Sequence, residues 1–241
     1  MHLIGIMALA VSLVGAAGMA SETPTASARP TCPTEPLAGA DQETVTLTCR
    51  ARFYTEGRAS SVDYVVIHTI QGSLQSGIHT IANGSREVSA HYLIGRDGTV
   101  VQMVREADTA WHAGTCPLGS DPEECEWPQS RVLNANSIGI EHAGHTGDPD
   151  YPTEAMYRAS AALVRRLAVA YDIPLDRQHI VGHSEIKPTK PDPGPPWDWD
   201  DYMRLVRGEP APRVPSVPTG VFIGVLVLFA AAAAALIALR L

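Results

Sequence analysis

Short apolar runs separated by turn-forming residues fill the middle of the chain, and this pattern predicts β-strands. The strands that we predict cover residues 43–49, 62–68, 91–95, 100–104, 137–141 and 180–182. The second of these contains a continuous apolar run, as expected for a strand that is covered on both faces. The third and fourth flank Arg96-Asp97-Gly98-Thr99, which is a strong signal for a β-hairpin.

Helical periodicity is clearest over residues 153–171, where Thr153 is a suitable N-cap. The residues that recur there at helical spacing are Met156, Ser160, Leu163, Leu167 and Tyr171. A second helix is predicted over residues 198–207, ended by Gly208, and a short helix is expected within residues 71–83. Strands alternating with helices predict an α/β domain over residues 56–207.

The two ends of the chain have the composition of targeting segments. Residues 1–20 combine an apolar core with a small-residue end, which predicts a cleaved secretory signal; an uncleaved anchor is the alternative. Residues 21–55 are expected to form a flexible leader with one short strand. A proline-rich linker, residues 208–218, precedes an apolar stretch over 219–240 that is long enough to span a bilayer.

Arg240 closes this apolar stretch, and positive residues prefer the cytoplasmic side of a membrane. We therefore expect an exported protein that the C-terminal helix anchors to the membrane, with its domain on the extracytoplasmic side. A processed sorting tail is the alternative.

Charge and cysteine content further restrict the partners and the cellular compartment that the chain can have. The formal net charge is -8 and Lys and Arg form no run, which argues against a nucleic-acid partner. Four cysteines suit an exported chain, and they allow three pairings. Proximity along the chain favours Cys32–Cys49 and Cys116–Cys125. The sequence has no Cys-x-x-Cys, so a thiolate zinc cluster is not expected.

Candidate metal ligands follow two of the predicted strands. After the apolar pair Ile180-Val181 comes a proline-punctuated loop that carries His183, Lys190 and Asp192, and we expect it to hold these side chains without regular structure. His68 lies at the end of the strand over residues 62–68. Two imidazoles and one carboxylate are a typical ligand set for catalytic zinc, so we assign His68, His183 and Asp192 to Zn²⁺.

Hydrolysis at such a centre also needs a base and a donor for the developing oxyanion. Glu141 ends an apolar strand, where a carboxylate is costly, and is the candidate base. Lys190 is the candidate oxyanion donor. His112 and Trp111 are candidates for substrate contact. A rival metal set would use two other histidines, which follow Glu141 closely in sequence: His142 and His145.

The chain resembles the zinc-dependent N-acetylmuramoyl-L-alanine amidases of the amidase-2 class, which are related to the peptidoglycan recognition proteins. The residues that carry the resemblance are Val66-Ile67-His68-Thr69, Val88-Ser89-Ala90-His91-Tyr92-Leu93-Ile94, Arg96-Asp97-Gly98-Thr99-Val100, Ala110-Trp111-His112-Ala113-Gly114, Ser137-Ile138-Gly139-Ile140-Glu141, Gly182-His183-Ser184-Glu185-Ile186, Lys190 and Asp192-Pro193-Gly194. Some relatives have a cysteine ligand and a catalytic tyrosine where this chain has Asp192 and Ala90, so neither role is carried over.

The resemblance implies a mixed central β-sheet flanked by helices, zinc on His68, His183 and Asp192, and catalytic roles for Glu141 and Lys190. It implies hydrolysis of the amide between N-acetylmuramic acid and the L-alanine of the stem peptide in peptidoglycan or a muropeptide. Two other functions are kept open: a non-catalytic receptor that binds peptidoglycan, and a secreted lytic toxin.

Overall fold

A six-stranded mixed β-sheet forms the centre of the computed structural model, which describes residues 31–32, 45–115 and 131–210. Its strands are β1 (Leu47–Thr48), β2 (Tyr64–Thr69), β3 (Tyr92–Ile94), β4 (Val100–Gln102), β5 (Ser137–His142) and β6 (Ile180–Gly182). Their order in the sheet is β1-β4-β3-β5-β2-β6, and only the β3–β4 hairpin pairs antiparallel. The predicted α/β class, the mixed sheet and the hairpin are therefore confirmed.

Among the described residues, four α-helices flank this sheet. They are α1 (Leu74–Asn83), α2 (Glu154–Tyr171), α3 (His183–Ile186) and α4 (Trp199–Val206). The Thr153 side chain caps α2 by accepting the backbone N–H of Met156, as the sequence predicts, and Asp198 caps α4 in the same way. The single-turn helix α3 differs from the prediction, because the segment after β6 was expected to have no regular structure.

Side chains alternate between the two faces of the sheet, so each strand contributes to two packing layers. Ile67 and Ile140 belong to a core shared with α2 and α4, whereas Val66 packs with residues of the opposite layer such as Ala113 and Ile186. β2 and β5 are parallel neighbours in which His68 pairs with Glu141. Both of these polar side chains therefore emerge on the face of Val66, at the carboxyl ends of adjacent strands.

One of the two predicted disulfides is present in the described residues, whereas the other pair and the predicted terminal segments lie outside them. Cys32 is bonded to Cys49 with a Cα–Cα distance of 5.3 Å. The Cys116–Cys125 pair, the signal segment 1–20, most of the leader and linker, and the apolar stretch 219–240 lie outside the described residues. Within the described parts, no helix combines the length and the apolar character that crossing a bilayer requires.

Candidate metal centre

Three buried side chains meet at the carboxyl ends of β2 and β6. Nδ1 of His68 lies 3.0 Å from Nδ1 of His183 and 3.2 Å from Oδ2 of Asp192. Nδ1 of His183 lies 3.0 Å from the same carboxylate oxygen. The three residues assigned to a metal from the sequence are therefore brought together, from positions up to 124 residues apart along the chain.

Each ligand is held by an element whose position the sheet fixes. His68 is in β2, and His183 opens α3 immediately after β6, which pairs with β2. The loop that carries Asp192 is fastened at two points. The backbone N–H of Ser184 donates to the carbonyl oxygen of Asp192 at 2.8 Å, and the Thr69 hydroxyl donates to the carbonyl oxygen of Pro193 at 3.3 Å.

The donor set and its spacing fit a tetrahedral divalent ion. Zinc bonds of 2.0–2.1 Å in tetrahedral geometry place neighbouring ligand atoms about 3.3 Å apart, close to the three distances found here. Three protein ligands also leave one position for water or substrate, as in catalytic zinc sites. His68, His183 and Asp192 are thus a complete candidate set.

The protonation states of the ligands suit metal binding. Burial lowers the pKa of His68 to about 4, although the hydrogen bond to Asp192 acts in the opposite direction. Burial opposes ionisation of Asp192, but hydrogen bonds from His183 and His68 outweigh it and hold the pKa of Asp192 well below its usual range. At neutral pH the site therefore offers a neutral His68 imidazole and an ionised carboxylate.

Glu141, which pairs with His68 across β5 and β2, lies beside this set. Its Oε2 atom is buried and has no hydrogen-bond partner among the described residues. Burial, together with the negative charge of Asp192, raises the pKa of Glu141 to about 8, while Lys190 acts against the shift. A buried carboxylate oxygen without a partner is costly, and one beside a candidate metal set marks a candidate general base.

The three remaining candidate residues lie in different surroundings: Lys190, His112 and Trp111. Lys190 is exposed on the loop between His183 and Asp192. Nδ1 of His112 lies 3.1 Å from Nε2 of His68, so the ring of His112 contacts a ligand of the set directly. Trp111 lines a cavity of about 440 Å³ that Arg58 and Asn134 also line. Substrate contact by His112 and Trp111 stays a prediction.

The rival metal set is wrong, because alternation along β5 turns His142 to the other face of the sheet. Nδ1 of His142 lies 3.0 Å from the carbonyl oxygen of His68, and its Nε2 lies 2.9 Å from the hydroxyl of Ser160 in α2. His145 is exposed and joins no group of metal-ligating side chains in the described residues. His142 is a buried, internally bonded histidine.

Two residues that support the centre were not singled out from the sequence. The Asn134 side chain accepts the backbone N–H groups of His112 and Ala113, at 2.8 and 2.6 Å. The ring of His112 packs directly on Gly139, where an added Cβ would lie 2.5 Å from Cγ of His112. A glycine inside a strand often marks a close approach by another group, and this signal could have identified Gly139.

The fold and these side chains define an α/β protein with a candidate site for one metal ion, built from two histidines and one aspartate. The chain belongs to the N-acetylmuramoyl-L-alanine amidase family, which it matches over residues 58–195, more than half of its length.

Individual members of the family agree with this assignment. N-acetylmuramoyl-L-alanine amidase A of Achromobacter lyticus is 34% identical over 163 residues, which cover 60% of this chain and 82% of that protein. The 1,6-anhydro-N-acetylmuramyl-L-alanine amidase AmpD of Salmonella typhimurium is 42% identical over 120 residues. That match covers 49% of this chain and 57% of the AmpD chain, little more than half of the relative. A crystal structure of a selenomethionine derivative of AmpD superposes with a TM-score of 0.56 at 27% identity, covering 72% of this chain and 99% of that one.

Proposed function

We propose that the protein is a zinc-dependent N-acetylmuramoyl-L-alanine amidase. It hydrolyses the amide between the lactyl group of N-acetylmuramic acid and the L-alanine of the stem peptide, in peptidoglycan or in a muropeptide released from it. The observation that carries the proposal is the juxtaposition of the His68–His183–Asp192 set with Glu141 on the neighbouring strand, whose buried Oε2 atom has no hydrogen-bond partner among the described residues. The names of its relatives support the same bond as the substrate.

Different residues of the chain carry out different parts of the proposed hydrolysis. Zinc held by His68, His183 and Asp192 would supply a Lewis acid that acidifies a water molecule and polarises a carbonyl oxygen. Glu141 removes a proton from the attacking water and returns it to the amide nitrogen of L-alanine as the carbon–nitrogen bond breaks. The ammonium group of Lys190 stabilises the negative charge that develops on the carbonyl oxygen. The products are a lactyl carboxylic acid and the free amino group of the stem peptide.

The test compares the wild type with Glu141→Gln, which keeps the shape of the side chain but cannot accept a proton. Released stem peptide is measured by chromatography after incubation with a muropeptide. The Gln variant should lose about 10²- to 10⁴-fold in kcat/KM while its zinc content stays that of the wild type. The matched control is Glu154→Gln, an exposed glutamate on α2, which should retain activity.

Two results would contradict this function. Near wild-type turnover by Glu141→Gln would remove the base from the mechanism. Saturable muropeptide binding by zinc-loaded wild type, with no release of stem peptide over a broad pH range, would instead favour the non-catalytic receptor.

We also propose that the domain acts outside the cytoplasm, anchored by the apolar segment over residues 219–240. The support is the absence of charge from Val221 to Leu239, followed by Arg240, together with the apolar start of the chain. Fractionation of intact cells should place the protein with the membrane and leave its domain open to added protease. Recovery of the domain from the medium would favour the secreted toxin, and protection from protease would contradict the proposed orientation.

A further inference from the structure

His68 uses both of its ring nitrogens, and they face different groups. Its Nδ1 faces His183 and Asp192 within the candidate metal set. Its Nε2 lies 3.1 Å from Nδ1 of His112, so the far side of the ligand ring contacts a second imidazole. The two rings meet edge to face, with their planes 89° apart.

Metal binding by Nδ1 of His68 fixes the direction of this hydrogen bond. A neutral imidazole carries one N–H, and the nitrogen that binds a metal must offer a lone pair. The proton of His68 is then on Nε2 and is donated to Nδ1 of His112. The proton of His112 is in turn on its Nε2, which lies 3.4 Å from the Ser137 hydroxyl oxygen. The Ser137 hydroxyl donates to the carbonyl oxygen of Leu133 at 2.5 Å, so the chain of donors ends on the backbone.

The backbone and the sheet hold His112 in the position that this bond needs. Its backbone N–H is bound by the side chain of Asn134 at 2.8 Å. Its ring lies over Gly139, where any side chain would collide with Cγ and Nδ1 of the ring, at 2.5 and 2.6 Å. Two independent constraints, a side-chain clamp and a missing Cβ, therefore place the ring against His68.

We propose that His112 is a positioning residue of the metal centre, which holds His68 in the tautomer that presents Nδ1 to the metal. The inference rests on the proposed zinc-dependent function, since only a metal gives that tautomer a purpose. Partners that orient a ligating histidine contribute strongly to metal affinity, and their loss typically costs 10- to 100-fold. In other proteins such partners are often carboxylates or backbone carbonyls. In this chain the partner is a second histidine, which in turn contacts Ser137.

The first measurement needs no substitution. In zinc-loaded wild type labelled with ¹⁵N, the chemical shifts of the His68 ring should show the proton on Nε2, and those of His112 should show an acceptor Nδ1 and the proton on its own Nε2. A His112 ring protonated on Nδ1, and so unable to accept from His68, would overturn the proposal, whatever the protein hydrolyses.

The second measurement is zinc affinity, by competition with a chromophoric chelator. His112→Ala should bind zinc 10- to 100-fold more weakly, whereas His112→Asn should recover most of the loss, because its side-chain oxygen can accept near the position of Nδ1. His79→Ala removes an exposed histidine of α1 and should bind zinc like the wild type. Equal affinities for folded His112→Ala and wild type would overturn the positioning role and leave the amidase function standing.

Gly139→Ala tests the same role without changing either imidazole. The new methyl group should displace the His112 ring and weaken zinc binding in the same direction as His112→Ala. Gly147→Ala is the matched control, since an added Cβ there meets nothing within 4 Å. Unchanged zinc affinity and unchanged His68 shifts in folded Gly139→Ala would contradict the proposal. Failure of the wild type itself to bind zinc would instead contradict the proposed function.

Discussion

The carboxyl group of Glu141 combines a catalytic placement with a cost to stability. Its folded-state pKa of about 8 lies well above the value of about 4.3 for a glutamate in an unfolded chain. Between these two values the folded protein binds more protons than the unfolded one, so its stability falls as the pH rises. A bound cation would favour the carboxylate form and reduce this penalty.

We therefore expect Glu141→Gln to stabilise the metal-free protein at pH 8 and to have a smaller effect at pH 5. A difference of about 1 kcal/mol corresponds to about 2–4 °C in Tm for a chain of this size. The measurement is thermal unfolding of chelator-treated wild type and variant at both pH values. A variant that loses as much stability as the wild type between pH 5 and pH 8 would show that Glu141 does not carry the penalty.

At the residue scale, the sequence singled out the three side chains that the structure brings together, but not the residues around them. His68, His183 and Asp192 were predictable because imidazole and carboxylate groups after apolar strands are chemically conspicuous. Whether Glu141 or His142 lies beside His68 depends on the face of the sheet that each side chain takes. The pairing of β5 with β2 decides this. The contact between His112 and Gly139 joins distant parts of the chain, so spacing alone could not reveal it.

At the scale of elements, strands and helices with a clear period were predicted within a few residues of their observed ends. Helix α2 has both a helical repeat and a side-chain cap, so its bounds follow from local chemistry. Helix α3 has four residues, too few to display a period, and its sequence is followed by prolines that predict irregular structure. The strand order β1-β4-β3-β5-β2-β6 depends on long-range pairing, which no local pattern contains.

A half-buried cluster around Glu106 joins β3 to α2. Its carboxylate accepts from the hydroxyl of Tyr171 at 2.9 Å and also contacts Tyr92 and the guanidinium of Arg166. Burial opposes ionisation, but the hydrogen bonds from Arg166 and Tyr92 prevail and hold the pKa of Glu106 below its usual value. As the pH falls, the unfolded chain therefore takes up the proton first. The stabilisation that ionised Glu106 contributes is present above the unfolded-state pKa and is lost as the pH falls through the folded-state pKa.

Glu106→Gln should lower the free energy of unfolding by about 1–3 kcal/mol at pH 7, since hydrogen bonds to a charged group are lost. The difference from the wild type should shrink near pH 3. The matched comparison is Glu154→Gln, which breaks a pair with Arg158 whose side chains are 76% and 66% exposed. That exposed pair should contribute about 0.5 kcal/mol at most. Denaturant unfolding of both variants measures these values, and equal effects would contradict the assignment.

At the scale of the whole molecule, the Cys32–Cys49 disulfide ties residues 31–32 of the leader to the edge of the sheet. Cys49 is fully buried directly after β1, the edge strand, and Thr31 exchanges two hydrogen bonds with the Gln75 side chain of α1. The two cysteines are 17 residues apart. A cross-link that closes a loop of this size restricts the unfolded chain and contributes about 3 kcal/mol.

The double substitution Cys32→Ala/Cys49→Ala should therefore lower the free energy of unfolding by about 3 kcal/mol, or Tm by about 6–12 °C. The zinc affinity should stay unchanged, because neither cysteine touches the metal set. Denaturant unfolding of the oxidised wild type and the variant provides the comparison. A reductant should lower the stability of the wild type by at least this amount, and any further loss when it is added to the variant would report on Cys116–Cys125. Equal stability of the oxidised wild type and the variant would mean that the leader is held to the sheet by its other contacts, and that the disulfide adds nothing to the fold.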